Sequence, residues 1–370
     1  MLTLRSACRA AAACVVCCAV CASPALAGTS IALKRTAILH YISGLPAEQK
    51  TLVATQVNEY EVYIDCTSAD RLRQMTGKRV ALLGLELMNA IAYPPYESYL
   101  VDRAVTQTEA GGLVTMSWHE RNPVEVCQRG EYYECAKKAM TAQTLQAVLT
   151  PGTREHQLWL SDVDAIAKVL RRLQSRGVVV LFRPYHEMNG NWFWWGQKDA
   201  YPRLWDALYD ELVVRQKLEN LIWVWSIDRD APDAAPYFPA RHRPDVVGTD
   251  VYEADPATPK YAAARAGLAA LSGGAPFAIT ETGLAPASKV LDETNPAWVL
   301  LWGDNINVNW TWNGQCPSCN TPQQIAGFFA LARIVTLDKL PPALRATISS
   351  GVANPHPLHQ PEPYCPSQLH

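Results

Sequence analysis

The sequence predicts a single (β/α)8 barrel, and three observations carry that expectation. Short apolar runs alternate with amphipathic segments at a regular pace, the pattern of β/α units around a parallel sheet. The runs number eight, and neither a central linker nor a repeat of solenoid period divides them. The later runs end in polar and aromatic residues, as expected where a barrel assembles its site at the C-terminal ends of its strands. A doubly wound open sheet is the alternative, but no glycine-rich phosphate fingerprint follows an early strand.

Composition narrows the function classes. The chain of 370 residues is 49% hydrophobic and 18% charged, which suits a globular protein with a sizeable core. With 33 Lys+Arg against 35 Asp+Glu and no basic run, it offers no footprint for nucleic acid. Residues 1–27 carry Arg5 and Arg9 with no acid, then an apolar stretch, then Ala25-Leu26-Ala27 before Gly28. This reads as an export signal cleaved after Ala27, giving a secreted or periplasmic protein; the apolar run is shorter than the roughly 20 residues of a membrane span, and none is expected in the mature chain.

Five of the 11 cysteines fall in that segment, leaving Cys66, Cys127, Cys135, Cys316, Cys319 and Cys365. Six cysteines in an exported chain suggest up to three disulfides among about fifteen connectivities. Proximity favours Cys127–Cys135 and Cys316–Cys319, with Cys66–Cys365 left by elimination. Half a zinc site or a redox motif at Cys316–Cys319 is the weaker alternative, since no second C-x-x-C accompanies it.

Along the chain the runs span residues 51–56, 80–87, 113–119, 178–187, 221–226, 246–252, 277–281 and 298–302. Before the fourth, Ser161 is a plausible N-cap, and Val163, Ile166, Val169, Leu170 and Leu173 recur at helical spacing until Gly177. The expected layout is a signal at 1–27, a catalytic barrel at 28–350 and a proline-rich tail at 351–370. A monomer is expected.

The strand ends carry the chemistry. Side chains alternate along a strand, so Thr115, Ser117 and His119 are expected to face the barrel interior while Val114, Met116 and Trp118 face the helices. The same parity groups Arg183, Tyr185 and Glu187, and also Ile279 and Glu281. Two glutamates, Glu187 and Glu281, therefore end two strands and look into one cleft. Glycoside hydrolysis uses such a pair: one protonated carboxyl delivers a proton to the leaving oxygen, and the other attacks or activates water. Glu187 lies beside Trp192-Phe193-Trp194-Trp195, whose low polarity favours its protonated form, and Arg183 could hold Glu281 ionised. The plainer alternative makes both ordinary barrel carboxylates paired with Arg183. The 12 Trp against 6 Phe suit a sugar cleft, where flat rings meet apolar C–H faces; Trp118, Trp159 and Trp205 are expected in the core, and several others at the barrel mouth.

The segment Arg183-Pro184-Tyr185-His186-Glu187-Met188-Asn189-Gly190-Asn191-Trp192-Phe193-Trp194-Trp195-Gly196 closely resembles the acid/base signature of glycoside hydrolase family 26, the β-mannanase family. The resemblance extends through Ser117-Trp118-His119-Glu120-Arg121-Asn122-Pro123, Gly248-Thr249-Asp250-Val251-Tyr252 and Ile279-Thr280-Glu281-Thr282-Gly283, from about residue 32 to 340. It implies a retaining glycanase on a (β/α)8 barrel, with Glu187 as acid/base and Glu281 as nucleophile, their carboxyls about 5–5.5 Å apart. By the same matching Trp192 and Trp302 stack on sugar, and His119 and His186 make polar contacts. Tyr252 steadies the nucleophile, and Arg183, Trp225 and Asp250 complete the substrate site. His186 lacks the second histidine of a His-Glu-x-x-His site, Gly190 standing there, so neither metal nor cofactor is expected.

The chain departs from the family pattern at Val53-Ala54-Thr55-Gln56, at Ile227-Asp228 after Ser226, and in the short stretch from Glu281 to Trp302. These changes spare the hydrolytic pair and fall on the outer subsites. A β-mannan polysaccharide is the expected substrate; β-1,3-xylan, mixed-linkage β-glucan or an exopolysaccharide are alternatives, as is a non-catalytic carbohydrate-binding barrel.

Overall fold

A computed structural model describes residues 29–63, 66–229, 233–306 and 319–352. The expected signal at 1–27, nearly all of the tail at 351–370, and Trp310, Trp312, Cys316 and Cys365 lie outside the described residues.

Eight strands close a parallel barrel: β1 (Thr51–Gln56), β2 (Leu82–Glu86), β3 (Leu113–Trp118), β4 (Val180–Pro184), β5 (Leu221–Asp228), β6 (Val246–Val251), β7 (Phe277–Thr282) and β8 (Trp298–Leu301). They pair in sequence order from β2 to β8, β8 pairs with β1, and β1 pairs back with β2. Each expected run holds a strand; the fourth stops at Pro184, short of Glu187. A two-residue ninth strand, β9 (Ile334–Val335), joins the start of β1, which its brevity hid from a periodicity reading.

The helices are α1 (Ile31–Gly44), α2 (Ser68–Thr76), α3 (Pro94–Glu109), α4 (Tyr132–Ala136), α5 (Ala142–Val148), α6 (Arg154–Ser175), α7 (Tyr201–Tyr209), α8 (Lys260–Ser272), α9 (Ser288–Thr294), α10 (Pro322–Ala330) and α11 (Pro342–Ser349). Among the described residues β5 and β6 are joined by a single 3₁₀ turn, Ala235–Tyr237. The α6 helix starts earlier than expected. Its N-cap is Thr153, whose hydroxyl accepts from the His156 N–H, and Ser161 lies inside the helix. Trp159 is fully buried, so the first turns pack as firmly as the periodic stretch that signalled the helix. No helix among the described residues is long and apolar enough to cross a membrane.

Two cores follow from strand alternation. Val114, Met116 and Trp118 point outward and join Phe182, Trp223, Trp225 and the inner faces of α3, α6 and α7 in one large cluster. Leu82, Leu181, Val224 and Leu300 pack with Ile38 and Ile42 of α1 and with Leu344 and Ile348 of α11, plugging the barrel opposite its polar ends. Eight of the ten described tryptophans are almost fully buried. The abundance of tryptophan is therefore chiefly a property of the outer shell, which corrects the expectation that several rings crowd the mouth. Truncating one such ring to alanine costs about 3–5 kcal/mol. The Cys127–Cys135 disulfide expected from spacing is present.

Candidate active site

The site is built where β4, β6 and β7 end. Arg183 projects inward from β4; its Nη1 donates to Ser226 Oγ at 3.1 Å and to Asp250 Oδ2 at 3.0 Å, and its Nη2 pairs with Glu281 Oε1. All three ionic partners are nearly sealed from solvent. A single guanidinium thus bridges two buried carboxylates, a geometry that arginine's fork suits.

Beyond Pro184 the backbone leaves the strand. Tyr185 and Glu187 adopt φ of +49° and +54°, in the left-handed region that non-glycine residues rarely occupy. This breaks the expected alternation: Arg183 and Glu187 reach the cleft, whereas Tyr185 turns out among Trp118, Trp159, Trp194 and Trp195. The turn is tightly wound. A Cβ on Gly190 would lie 2.2 Å from the Trp192 ring, and one on Gly196 would lie 2.2 Å from the Gly190 carbonyl. Asn189 fastens the turn to β5, donating to the Asp228 carbonyl at 2.7 Å and accepting from its N–H at 3.0 Å. Trp192 Nε1 donates to Glu187 Oε2 at 2.6 Å. Burial first, then the charges of Asp250 and Glu281, push the Glu187 carboxyl well above the usual carboxylate range; the Trp192 hydrogen bond only partly opposes them.

The end of β7 is shaped by a bulge. Its register with β6 slips so that Asp250 pairs with Glu281 while Thr249 pairs with Ile279. Ile279 consequently points to the outer core, and Thr280 and Glu281 both face inward, Thr280 Oγ1 donating to Asp250 Oδ1 at 2.6 Å. The expectation that Ile279 and Glu281 share a face fails for that reason. Glu281 receives Arg183 on Oε1 and the Tyr252 hydroxyl on Oε2 at 2.6 Å. Burial raises Asp250 to about 7, with Arg183 opposing and Glu281 adding.

His119 follows β3 and is held by Glu86 at the end of β2, 2.8 Å from its Nδ1; Glu86 also accepts from Ser117 Oγ and from the backbone N–H groups of Met88 and His119. Burial alone would lower the His119 imidazole, but the Glu86 carboxylate raises it. His186 stands perpendicular to His119 at 4.3 Å between ring centres and is pushed well below its ordinary value, by burial and then by Arg183, so it stays neutral. One ligand atom each from His186, Asp250 and Glu281 lies within 4.8 Å of the others. Arg183 already sits against both carboxylates of the trio, so a cation entering there would meet a fixed positive charge.

Glu187, Glu281, Glu86, His119 and His186 line a cleft of about 580 Å³ that also takes in Tyr252, Trp302, Tyr133 and Phe193, whereas Arg183 and Asp250 are not among its lining residues. Trp192 and Tyr252 are partly exposed at its rim, and the Tyr252 and Trp302 rings meet nearly edge-on. Trp225 is not brought there: its ring is fully buried in the outer shell against Phe238, because it occupies an outward position of β5. Sequence reasoning missed Glu86, Asn58, Glu59, Tyr60 and Asp304, all in the cleft wall. Glu86 and the Asn58-Glu59-Tyr60 stretch could have been found by asking what the first two strands end in.

The model of glycosyl hydrolase family 26 matches residues 30–317. The chain belongs to this family. Among its relatives, a mannan endo-1,4-beta-mannosidase of Thermothelomyces thermophilus is 32% identical over 295 residues, covering 75% of this chain and 57% of that protein. The chain spans between 45% and 64% of the length of the first three curated relatives it matches. Of solved family 26 structures, GH26A from a Muricauda species superimposes with a TM-score of 0.73 at 28% identity, covering 83% of this chain and 97% of that one. A beta-mannanase from a symbiotic protist of the termite Reticulitermes speratus, complexed with gluco-manno-oligosaccharide, gives 0.70 at 25% identity over 85% and 96%.

Proposed function

We propose that this family 26 protein is an exported, monomeric, retaining endo-β-1,4-mannanase, with residues 28–350 as its catalytic domain and 351–370 as a tail. The observation that carries the reading is the unequal treatment of two glutamates in one cleft. Glu187 is kept protonated by burial and nearby negative charge, while Glu281 is held between a guanidinium and a tyrosine hydroxyl. In this mechanism Glu281 attacks the anomeric carbon as Glu187 delivers its proton to the departing glycosidic oxygen. Glu187, now ionised, then takes a proton from the water that cleaves the glycosyl-enzyme. Trp192 and Trp302 supply stacking faces, and His119 and His186 supply polar contacts at the cleavage point, while Asp250 acts through Arg183.

The relatives that carry the name mannan endo-1,4-beta-mannosidase support mannan as substrate. An open cleft supports internal cleavage, and an adjoining cavity of about 530 Å³, sharing Glu59 and Tyr60 with it and lined by Tyr93, Tyr96 and Arg129, leaves room for further sugar units. The signal-like residues 1–27 and the Cys127–Cys135 disulfide support export to an oxidising compartment.

The test is hydrolysis of mannan, glucomannan, β-1,3-xylan and mixed-linkage β-glucan by the purified protein, with product anomers followed by NMR. Mannan cleaved internally with retained configuration is expected. Inverted products would overturn the mechanism, preference for xylan or glucan the substrate, and binding without cleavage the enzymatic reading.

A further inference from the structure

Behind the turn that carries Glu187 lies a buried carboxyl that the mechanism does not use. Glu120 follows His119 in sequence but points away from the cleft into the outer aromatic shell, where it is 1% exposed. Its Oε2 accepts from the Tyr185 hydroxyl at 2.6 Å, and the same hydroxyl accepts from Trp159 Nε1 at 2.9 Å. The Glu120 carbonyl accepts from Trp194 Nε1 at 2.9 Å, and the Tyr185 carbonyl accepts from the Tyr201 hydroxyl at 3.1 Å. The β3 end, α6, α7 and the aromatic segment after Glu187 therefore all converge on Tyr185.

Tyr185 is where the backbone first turns left-handed, two residues before Glu187 does so again. A turn that two non-glycine residues hold at positive φ persists only where its surroundings over-determine it. The contacts on Tyr185 supply that determination from outside the barrel, and Glu120 is their polar anchor. A carboxyl is an expensive choice for such a position, since an apolar shell would pack around an unpolar residue without desolvating an acid. Burial, followed by the charge of Asp162, pushes Glu120 well above the carboxylate range; the Tyr185 hydrogen bond and then the charge of Arg121, itself engaged by both oxygens of Asp162, only partly oppose this. What the position supplies is oxygen geometry, Oε2 on the Tyr185 hydroxyl and the main-chain carbonyl on Trp194 Nε1.

We propose that Glu120 is a positioning residue which, through the Tyr185 hydroxyl, fixes the left-handed turn that aims the Glu187 carboxyl at the leaving-group oxygen. The proposal rests on the role assigned to Glu187 above. It places the effect on proton delivery and not on substrate binding.

The test compares two substrates in the full-length protein. Mannan needs a proton on its departing oxygen; an aryl β-manno-oligoside with an acidic phenol releases its phenolate unaided. Tyr185→Phe, which removes one hydroxyl, and Glu120→Ala are each expected to lower kcat/KM on mannan about 10- to 100-fold, a loss within the range for general acid catalysis. On the aryl substrate the loss should stay under about threefold, since that substrate does not draw on the acid. Glu120→Gln keeps an oxygen in place without a charge and should recover most of the mannan activity. Should Glu120→Ala fail to fold, Tyr185→Phe alone decides. Equal losses on both substrates would make the cluster merely structural and overturn the proposal, as would unchanged mannan activity in Tyr185→Phe. Wild-type protein inactive on both substrates would instead sink the proposed function itself.

Discussion

At the end of β4 a glutamate sits in a left-handed aromatic turn and accepts from a tryptophan N–H; at the end of β7 another sits on a bulge, gripped by Arg183 and Tyr252. Both are carboxylic acids in one cleft, and both lie where a strand stops being regular. The difference between them is what the neighbouring strands contribute. Around Glu187 the barrel gathers negative charge and apolar surface; around Glu281 it gathers a cation and a hydroxyl. The proposed division of roles thus rests on surroundings and not on residue type.

The hardest way to break that contrast is to remove each carboxyl in turn. Glu281→Ala is expected to abolish hydrolysis of mannan, and Glu187→Ala to lower it by about 10²- to 10⁴-fold. Added azide should then separate them. With Glu187 truncated, azide attacks the glycosyl-enzyme and gives a retained glycosyl azide. With Glu281 truncated, it enters from the vacated side and gives the inverted one. The same anomer from both variants, read by NMR, would show that the roles are not divided as assigned.

Next in size is the cation on which only one side of the contrast depends. Arg183→Met leaves Asp250 and Glu281 buried without a counter-charge, and breaking such a pair costs about 3–5 kcal/mol. Urea unfolding should show that loss together with loss of activity. Stability unchanged within about 1 kcal/mol would mean that the two carboxylates are balanced by something other than Arg183. A smaller effect is expected at Tyr252, which touches Glu281 by one hydrogen bond at the rim. Tyr252→Phe removes a hydrogen bond to a charged group, about 1.5–3 kcal/mol, so kcat should fall about 10- to 100-fold.

The same contrast marks how far the sequence could be read. All eight strands were legible, because fully buried parallel strands are continuous apolar runs. Both glutamates were legible too, because they sit in motifs at strand ends. What could not be read was where strand geometry stops. Parity placed Tyr185 beside Arg183 and Ile279 beside Glu281, and both assignments failed at a backbone irregularity, a left-handed turn in one case and a bulge in the other. Nothing in a string of side chains announces a residue that forfeits alternation for position. Trp225, expected at the substrate site, departs for a simpler reason: an outward position on β5 places the ring in the shell. Glu86 was within reach as the residue that ends β2, but its hold on His119 from a different strand is a contact only the closed barrel makes.

The finest test concerns the hydrogen bond that Glu187 receives from Trp192. The Trp192 N–H favours the ionised carboxylate, so it works against the burial and the charges that keep Glu187 protonated. Trp192→Phe removes the donor and keeps an aromatic ring over the turn. An acid must be protonated to act, so kcat/KM falls as pH rises through its pKa. Without the donor that pKa rises further, and the alkaline limb of the profile should move upward while kcat/KM on its plateau changes less than about threefold, the worth of a weak platform change. A limb that moves downward instead would mean that the indole protects Glu187 from water more than it stabilises the anion. Burial by the aromatic turn would then rest on this single exposed ring, and the opposition between the two glutamates would be set at the cleft's rim and not in its walls.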